Sequence, residues 1–174
     1  MELKNKRWIG ILVISCLCII FYACRVEYKF NGSNIDYQFV KTIQIDNFPI
    51  RSAYVWPPMQ SIFQNQLTDI YSRQTKLRQI KRNGDLQLAG EITAFDQYNK
   101  GISSDGYSSQ VQLKMTVNVR FINNTKHEED FERQFTATTE YDANLQLTAV
   151  QEELVTQMSK DITDQIFNAT VANW

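Results

Sequence analysis

Five basic side chains lie within one stretch of ten residues that contains no acidic residue. They are Arg73, Lys76, Arg78, Lys81 and Arg82. Because guanidinium groups bind phosphate through paired N–H donors, the cluster predicts a surface that binds phosphates or other anions. A structural interpretation remains open beside this one. Arg73 and Lys76 fall near the end of a predicted helix, where cations stabilise the helix dipole.

Residue patterns of known catalytic sites do not occur in the sequence. His127 is the only histidine and lies in a charged run at residues 126–130, which indicates an exposed turn. Four carboxylates lie beside it, at Glu128, Glu129, Asp130 and Glu132. Their spacing is not that of a calcium-binding loop, and adjacent carboxylates at a turn are typical of a solvated face. With no phosphate-binding loop, nucleophile motif or zinc motif either, the sequence predicts no enzyme, no metal site and no cofactor.

The N-terminal residues have the composition of an export signal. Three basic residues precede an apolar run at residues 8–21, which is shorter than the roughly 20 residues that a membrane-spanning helix needs. Residues 1–23 are therefore predicted to be a cleaved signal peptide rather than a retained anchor. The Ala23-Cys24 pair at its end resembles the lipobox of bacterial lipoproteins, in which the cysteine is acylated and holds the protein on the membrane. The alternative is a free cysteine, which would be a liability in an oxidising compartment.

Beyond the signal, the chain is predicted to consist of a tether and one domain. Residues 24–37 are polar with scattered aromatic residues, as expected of a tether that leads away from the lipid. Residues 38–174 are long enough to form a single hydrophobic core. The chain has 18 basic and 19 acidic residues and a net charge of −1, which argues against a general nucleic-acid-binding protein.

The stretch at residues 111–121 sets the expected architecture of the domain. Its odd positions are all apolar and its even positions are all polar, which is the period of a strand with one buried face. A fully buried parallel strand would be apolar throughout. This stretch therefore predicts an antiparallel sheet whose apolar face is covered by other elements.

Four further strands are predicted, at residues 39–48, 77–81, 86–94 and 131–141. The first two flank a helix, so they predict a parallel pair joined by a crossover connection. The segment at residues 96–108 is predicted to be a loop of thirteen residues. Such a loop is long for a hairpin, and long loops often carry function.

Two helices are predicted to cover the sheet. The first follows Pro57-Pro58, and its apolar stripe consists of Met59, Ile62, Phe63, Leu67, Ile70 and Tyr71. The second begins at a capping box formed by Thr148 and Gln151. Its apolar stripe consists of Val150, Leu154, Val155, Met158, Ile162, Ile166 and Ala169. The expected fold is α+β, a two-layer sandwich with a mixed, mainly antiparallel sheet of four to five strands and two helices on one face.

Several short motifs follow Cys24 and span nearly the whole mature chain. They lie at residues 28–33, 41–49, 84–86, 90–93, 117–121, 130–135, 141–142, 166–168 and 171–174. In their order, and together with the lipoprotein start, they resemble the lipopolysaccharide-assembly lipoproteins of the LptE type, in the form found in Bacteroidetes. Each motif alone is short, so the resemblance rests on their order.

The resemblance implies an outer-membrane lipoprotein on the periplasmic side that plugs and supports the β-barrel LptD and contacts lipopolysaccharide. The cluster from Arg73 to Arg82 is a candidate for that contact because of its own charge, and it is not transferred from the family. Two other functions remain open. One is an auxiliary periplasmic lipoprotein of an ABC-type lipid transport system, and the other is a hydrolase that uses a pair of carboxylates.

Overall fold

A computed structural model of the protein describes residues 35–100 and 110–171. The predicted signal peptide, Cys24 and most of the predicted tether lie outside these ranges. The strands are β1, β2, β3, β4 and β5, at Thr42–Ile45, Arg78–Ile80, Leu86–Asn99, Gln110–Asn123 and Phe131–Asp142. Helices α1 and α2 are Pro57–Gln74 and Leu147–Thr170. The strands form one sheet in the order β2-β1-β3-β4-β5, and both helices share one hydrophobic core with it, which confirms the predicted α+β class.

The strands β3, β4 and β5 are antiparallel and form most of the sheet. The odd positions of β4 face the core, and Leu113, Met115, Val117 and Val119 are completely buried there. This confirms the face that the alternating pattern predicts for residues 111–121. The charged side chains of β4, together with Gln112 and Asn118, occupy the opposite face of the sheet, where no helix of the described chain lies.

The predicted loop at residues 96–108 is shorter in the structure. Strand β3 continues to Asn99, so the connection to β4 comprises residues 100–109, of which 101–109 lie outside the described ranges. The reason is a β-bulge between Ile92 and Ala94, which shifts the register by one residue. Before the bulge the buried residues of β3 have even numbers, and after it the buried residue is Phe95. The alternation of apolar and polar residues therefore breaks at the bulge, and the sequence pattern does not show that the strand continues.

Strand β1 pairs in parallel with both β2 and β3, which confirms the predicted parallel pair. It is shorter than predicted, because after Ile45 the chain makes only scattered hydrogen bonds to β3. The Pro49 carbonyl accepts one from the N–H of Ile92. Helix α1 begins with Pro57 and Pro58, at positions where the missing N–H has no partner within the helix. All residues of its predicted apolar stripe except Ile62 are buried.

Helix α2 differs from the prediction at its start and in its buried face. It begins at Leu147 after Gln146, without a side-chain cap, so the predicted capping box is wrong. Val150, Leu154 and Ala169 are only half-buried, whereas polar Gln151, Ser159 and Thr163 are buried with Phe167. Two of these polar groups have close partners: Tyr54 donates a hydrogen bond of 2.7 Å to Gln151, and the Thr163 hydroxyl donates one of 3.0 Å to the Lys160 carbonyl. The buried Ser159 hydroxyl has no partner within the described residues. Neither helix in the described ranges is long and apolar enough to cross a membrane.

Candidate anion-binding surface and end cleft

The connection from β2 to β3, residues 81–85, is short and tightly held and is called the crossover loop below. It joins two parallel strands on either side of β1 with only five residues, whereas such connections normally need a dozen or more. Asn83 has a left-handed φ of 57°. A Cβ atom on Gly84 would lie 2.6 Å from the backbone N of Gln44, so only glycine lets the chain pass β1 so closely.

Asp85 fastens one side of the crossover loop to the start of β1. Its Oδ2 atom accepts hydrogen bonds from the N–H of Lys41 and the N–H of Thr42, both at 2.9 Å. The Thr42 hydroxyl donates a third at 2.8 Å and accepts one from the Asp85 N–H at 3.0 Å. The Lys41 N–H, together with the Thr42 donors, holds the pKa of Asp85 below its usual range.

Asn124 fastens the other side of the crossover loop to the turn between β4 and β5. Its Nδ2 donates to the Gly84 carbonyl at 2.7 Å, and its backbone N–H donates to the Asp85 carbonyl at 2.9 Å. The sequence predicts a turn at Asn83-Gly84-Asp85 but not the roles of Asp85 and Asn124. The only signal in the sequence is the short spacing between the two predicted strands that this turn joins.

The structure divides the basic cluster into two groups. Arg73, in the last turn of α1, forms an ion pair of 2.7 Å with Asp69. The Lys76 ammonium lies 5.9 Å from the centre of the Tyr37 ring. The side chains of the other three members are exposed and form no ion pair or hydrogen bond within residues 35–100 and 110–171: Arg78, Lys81 and Arg82. These three are the cations available to an external anion.

Arg78 lies on the edge strand β2, and Lys81 and Arg82 lie on the crossover loop directly after it. The loop is fixed on both sides by Asp85 and Asn124. The backbone that carries these cations is therefore held in place before an anion binds, which reduces the entropy that binding loses. We refer to Arg78, Lys81 and Arg82 as the basic edge.

A cleft of about 930 Å³ opens at the same end of the domain and is called the end cleft below. It lies between residues 35–40, the β4–β5 turn and the end of α2. Its apolar lining consists of Ile35, Phe39, Val40, Leu86, Phe121, Phe131, Ala169 and Val171. Its charged lining consists of Asp36, Lys126, Glu128, Glu129, Asp130 and Arg133. Phe39 is 70% exposed beside it.

The carboxylates at the end cleft hold the β4–β5 turn together. The buried Asn123 donates from Nδ2 to Glu129 at 2.7 Å and from its N–H to Asp130 at 2.7 Å. The Asn123 N–H, followed by His127, lowers the pKa of Asp130. His127 is exposed in a single turn of 3-10 helix, in agreement with the predicted exposed turn. No cluster in the described part of the chain could hold a metal ion.

The described residues form an α+β domain with an exposed basic edge on a fixed loop. The comparison with protein families identifies which kind it is. Residues 40–170 match the family LptE, described as lipopolysaccharide-assembly, so the chain belongs to that family. It is a non-enzymatic lipopolysaccharide-assembly lipoprotein associated with the cell envelope, which confirms the resemblance and the prediction that the protein is no enzyme.

Two solved structures share the fold at low sequence identity, and a third is less similar. The hypothetical protein CT253 from Chlamydia trachomatis has 12% identity and a TM-score of 0.52, over 77% of this chain and 99% of that chain. A neuraminyllactose-binding hemagglutinin homolog from Helicobacter pylori has 13% identity and a TM-score of 0.52, over 80% and 87%. Rare lipoprotein B from Shewanella oneidensis has 12% identity and a TM-score of 0.48, over 74% and 92%. No curated protein matches the sequence.

Proposed function

We propose that the protein is an outer-membrane lipoprotein, anchored through acylated Cys24 on the periplasmic side, that plugs and supports the β-barrel LptD and contacts lipopolysaccharide through the basic edge. The family match over residues 40–170 is the observation that carries the proposal. The sheet face opposite the helices supports a place inside a barrel. It carries polar side chains such as Asn118 and Thr136, which suit contact with a polar barrel interior.

The basic edge is the better candidate for the lipopolysaccharide contact than the end cleft. Arg78, Lys81 and Arg82 have no acidic partner in the described chain, so lipid phosphates would not have to displace one. The charged lining of the end cleft has four carboxylates and two cations, a balance that repels phosphate groups.

Reversing the charge of Arg78 and Arg82 together to glutamate is expected to weaken lipopolysaccharide binding by more than about tenfold. Each charge-assisted contact to a phosphate is worth about 1.5–3 kcal/mol, and two such contacts would be lost. Binding of the wild-type protein should also weaken as salt is raised, because salt screens exposed charges. Binding is measured with purified protein and labelled lipopolysaccharide at two salt concentrations.

The matched control reverses Arg73 and Lys76, which makes the same change in net charge where local partners exist. This variant should lose a few tenths to about 1 kcal/mol of stability and keep most of its affinity. Equal losses of affinity in both variants would point to a diffuse charge effect. Unchanged affinity in the Arg78 and Arg82 variant would reject the basic edge as the lipopolysaccharide contact. If that variant also failed to assemble with the barrel, the basic edge would instead belong to the interface with LptD.

Replacing Cys24 with alanine is expected to abolish acylation and release the protein from membranes. Stable anchoring requires covalent lipid, because a free cysteine adds no hydrocarbon to the chain. The measurement is metabolic labelling with a palmitate analogue, followed by fractionation of membranes and soluble periplasm. Cys16→Ala is the control, since that residue belongs to the segment predicted to be removed. Persisting label in the Cys24 variant would contradict the predicted anchor.

A further inference from the structure

Strand β5, Phe131–Asp142, forms one edge of the sheet. It is twelve residues long, whereas β2 at the opposite edge has three. Its pairing with β4 runs from Phe121 opposite Phe131 to Gln110 opposite Asp142 without a bulge, and the strand contains no proline. Long, regular edge strands are uncommon in proteins unless something covers or pairs with them.

The direction of each backbone group in β5 follows from the hydrogen bonds of its neighbours. The Lys100 N–H donates to the Gln110 carbonyl, so Gln110 and the other even-numbered residues of β4 direct their backbone groups toward β3. The odd-numbered residues of β4 therefore bond to β5. In the β4–β5 register, odd-numbered residues of β4 lie opposite odd-numbered residues of β5, so the odd-numbered residues of β5 bond to β4. The even-numbered residues of β5 therefore direct their N–H and carbonyl groups outward, away from the sheet.

Five residues of β5 thus present backbone groups at the open edge: Glu132, Gln134, Thr136, Thr138 and Glu140. One of these groups is satisfied from α2, because Gln165 Nε2 donates to the Thr136 carbonyl at 3.2 Å. The other outward N–H and carbonyl groups form no hydrogen bond with residues 35–100 or 110–171. Most of the outward backbone groups of β5 could therefore bond to an added strand.

We propose that the β5 edge is an interaction surface that takes an extended segment of the membrane partner as a sixth strand. Addition of a strand gains affinity from main-chain hydrogen bonds and specificity from alternate side chains. The side chains at the edge also select the occupant. Among the described residues Glu132 accepts one side-chain hydrogen bond, from Asn118, and forms no ion pair. The fitting segment therefore places a basic residue opposite Glu132 and has no proline along the paired stretch.

A second copy of this chain fits the edge less well. Two β5 strands paired antiparallel about Thr136 would place Glu132 of one copy opposite Glu140 of the other, at both ends of the pair. Lys100 pairs with Glu140, so among the described residues Glu132 would face this carboxylate without a basic partner of its own. Like charges directly opposite on neighbouring strands are destabilising. The inference rests on the proposed function only for the identity of the partner, which is the barrel.

The test is Thr138→Pro in the full-length lipoprotein. Proline at this position removes an N–H that points outward and leaves the hydrogen bonds to β4 intact. Edge strands tolerate proline at such positions. The variant should melt within about 5 °C of the wild type and co-purify with the barrel at least tenfold less from detergent-solubilised membranes. Thr138→Val keeps the N–H and should co-purify like the wild type. A folded Thr138→Pro protein that co-purifies at the wild-type level would overturn the inference.

Amide hydrogen exchange of the wild-type protein is a second test of the β5 edge, and it does not depend on whether the proline variant folds. The amides of Gln134 and Thr138 should exchange rapidly in the isolated protein and at least tenfold more slowly in the barrel complex. Unchanged exchange in the complex would overturn the inference. A barrel that never co-purifies with the wild type would instead reject the proposed function, and concentration-dependent dimers lost in Thr138→Pro would overturn the stated partner in favour of a second copy.

Discussion

Replacing Gly90 with alanine is expected to destabilise the protein by about 3 kcal/mol or more, one of the largest effects of any single methyl group in this chain. Gly90 lies in β3, opposite Val119 of β4. A Cβ atom there would collide with the carbonyl oxygen of Asn118 and lie 2.5 Å from Cε1 of Phe48. Both obstacles are fixed, because one is backbone of β4, which is paired on both sides, and the other is a completely buried ring.

The buried ring of Phe48 explains why alanine finds no space. Its centroid lies 5.3 Å from that of Phe63 in α1, so it is held between the helix and β3. Relief of the collision would require either the ring or the β3–β4 pairing to move. Urea unfolding of Gly90→Ala should therefore show a lower midpoint with an unchanged slope.

Ala89→Ser is the control for this prediction. Ala89 is adjacent in β3 but faces the opposite side of the sheet, and adding one atom there should change the free energy of unfolding by less than about 0.5 kcal/mol. Two variants that unfold alike, both near the wild type, would show that Phe48 does not pack against the strand as the structure has it.

The parts of the fold that the sequence predicts best are those in which one physical pattern acts alone. In β4 the alternation of apolar and polar residues is decided by burial of one face, and the predicted and observed faces agree. In α1 the two prolines fix the start, and the stripe from Met59 to Tyr71 fixes the buried side. No distant residue is needed for either prediction.

The predictions failed where a distant contact decides. The β-bulge at Ile92 depends on how β3 fits β4, so the end of that strand could not be placed from its own residues. The buried face of α2 contains Gln151 because Tyr54 lies against it, and nothing near Gln151 in the sequence indicates that partner. Local hydrophobicity alone therefore found Val155, Met158, Ile162 and Ile166, which are buried, but missed the polar residues at the edge of the buried face.

The basic cluster shows the same division within the candidate site. Its charge could be recognised from the sequence, because no acidic residue interrupts residues 73–82. The structural interpretation placed Arg73 and Lys76 at a helix end, and the structure shows that they also have Asp69 and Tyr37 beside them. The isolation of the other three cations depends on the path of the crossover loop, which a sequence pattern does not specify.

Asp85→Ala is expected to destabilise the protein by about 2–4 kcal/mol at neutral pH. The substitution removes the acceptor of three hydrogen bonds from Lys41 and Thr42, and it leaves their donors facing a partly buried gap. Asp85→Asn should lose less, because an amide oxygen can still accept some of these bonds. Asp96→Ala is the control, an exposed carboxylate that forms no hydrogen bond within the described ranges, and it should change stability by less than about 0.5 kcal/mol.

The pH dependence of the unfolding free energy distinguishes what the charge of Asp85 contributes to stability from what its shape contributes. Because the pKa of this carboxyl is lower in the folded protein than in the unfolded chain, its ionised form stabilises the fold above the unfolded pKa, about 3.9 for aspartate. That contribution is lost as the pH falls through the lower folded pKa. The gap in unfolding free energy between wild type and Asp85→Ala should therefore be full at pH 7 and narrow in strong acid.

Urea unfolding of the three variants at pH 7 and in strong acid checks both expectations. A gap that stays constant across this range would mean that the side chain acts through its shape rather than its charge. A variant as stable as the wild type at pH 7 would mean that Asn124 and Gly84 alone hold the crossover loop. In that case Asp85→Ala would also leave the basic edge in place and lipopolysaccharide binding unchanged. A loop held by Asp85 should instead move Lys81 and Arg82 when that carboxylate is removed, and binding should weaken with stability.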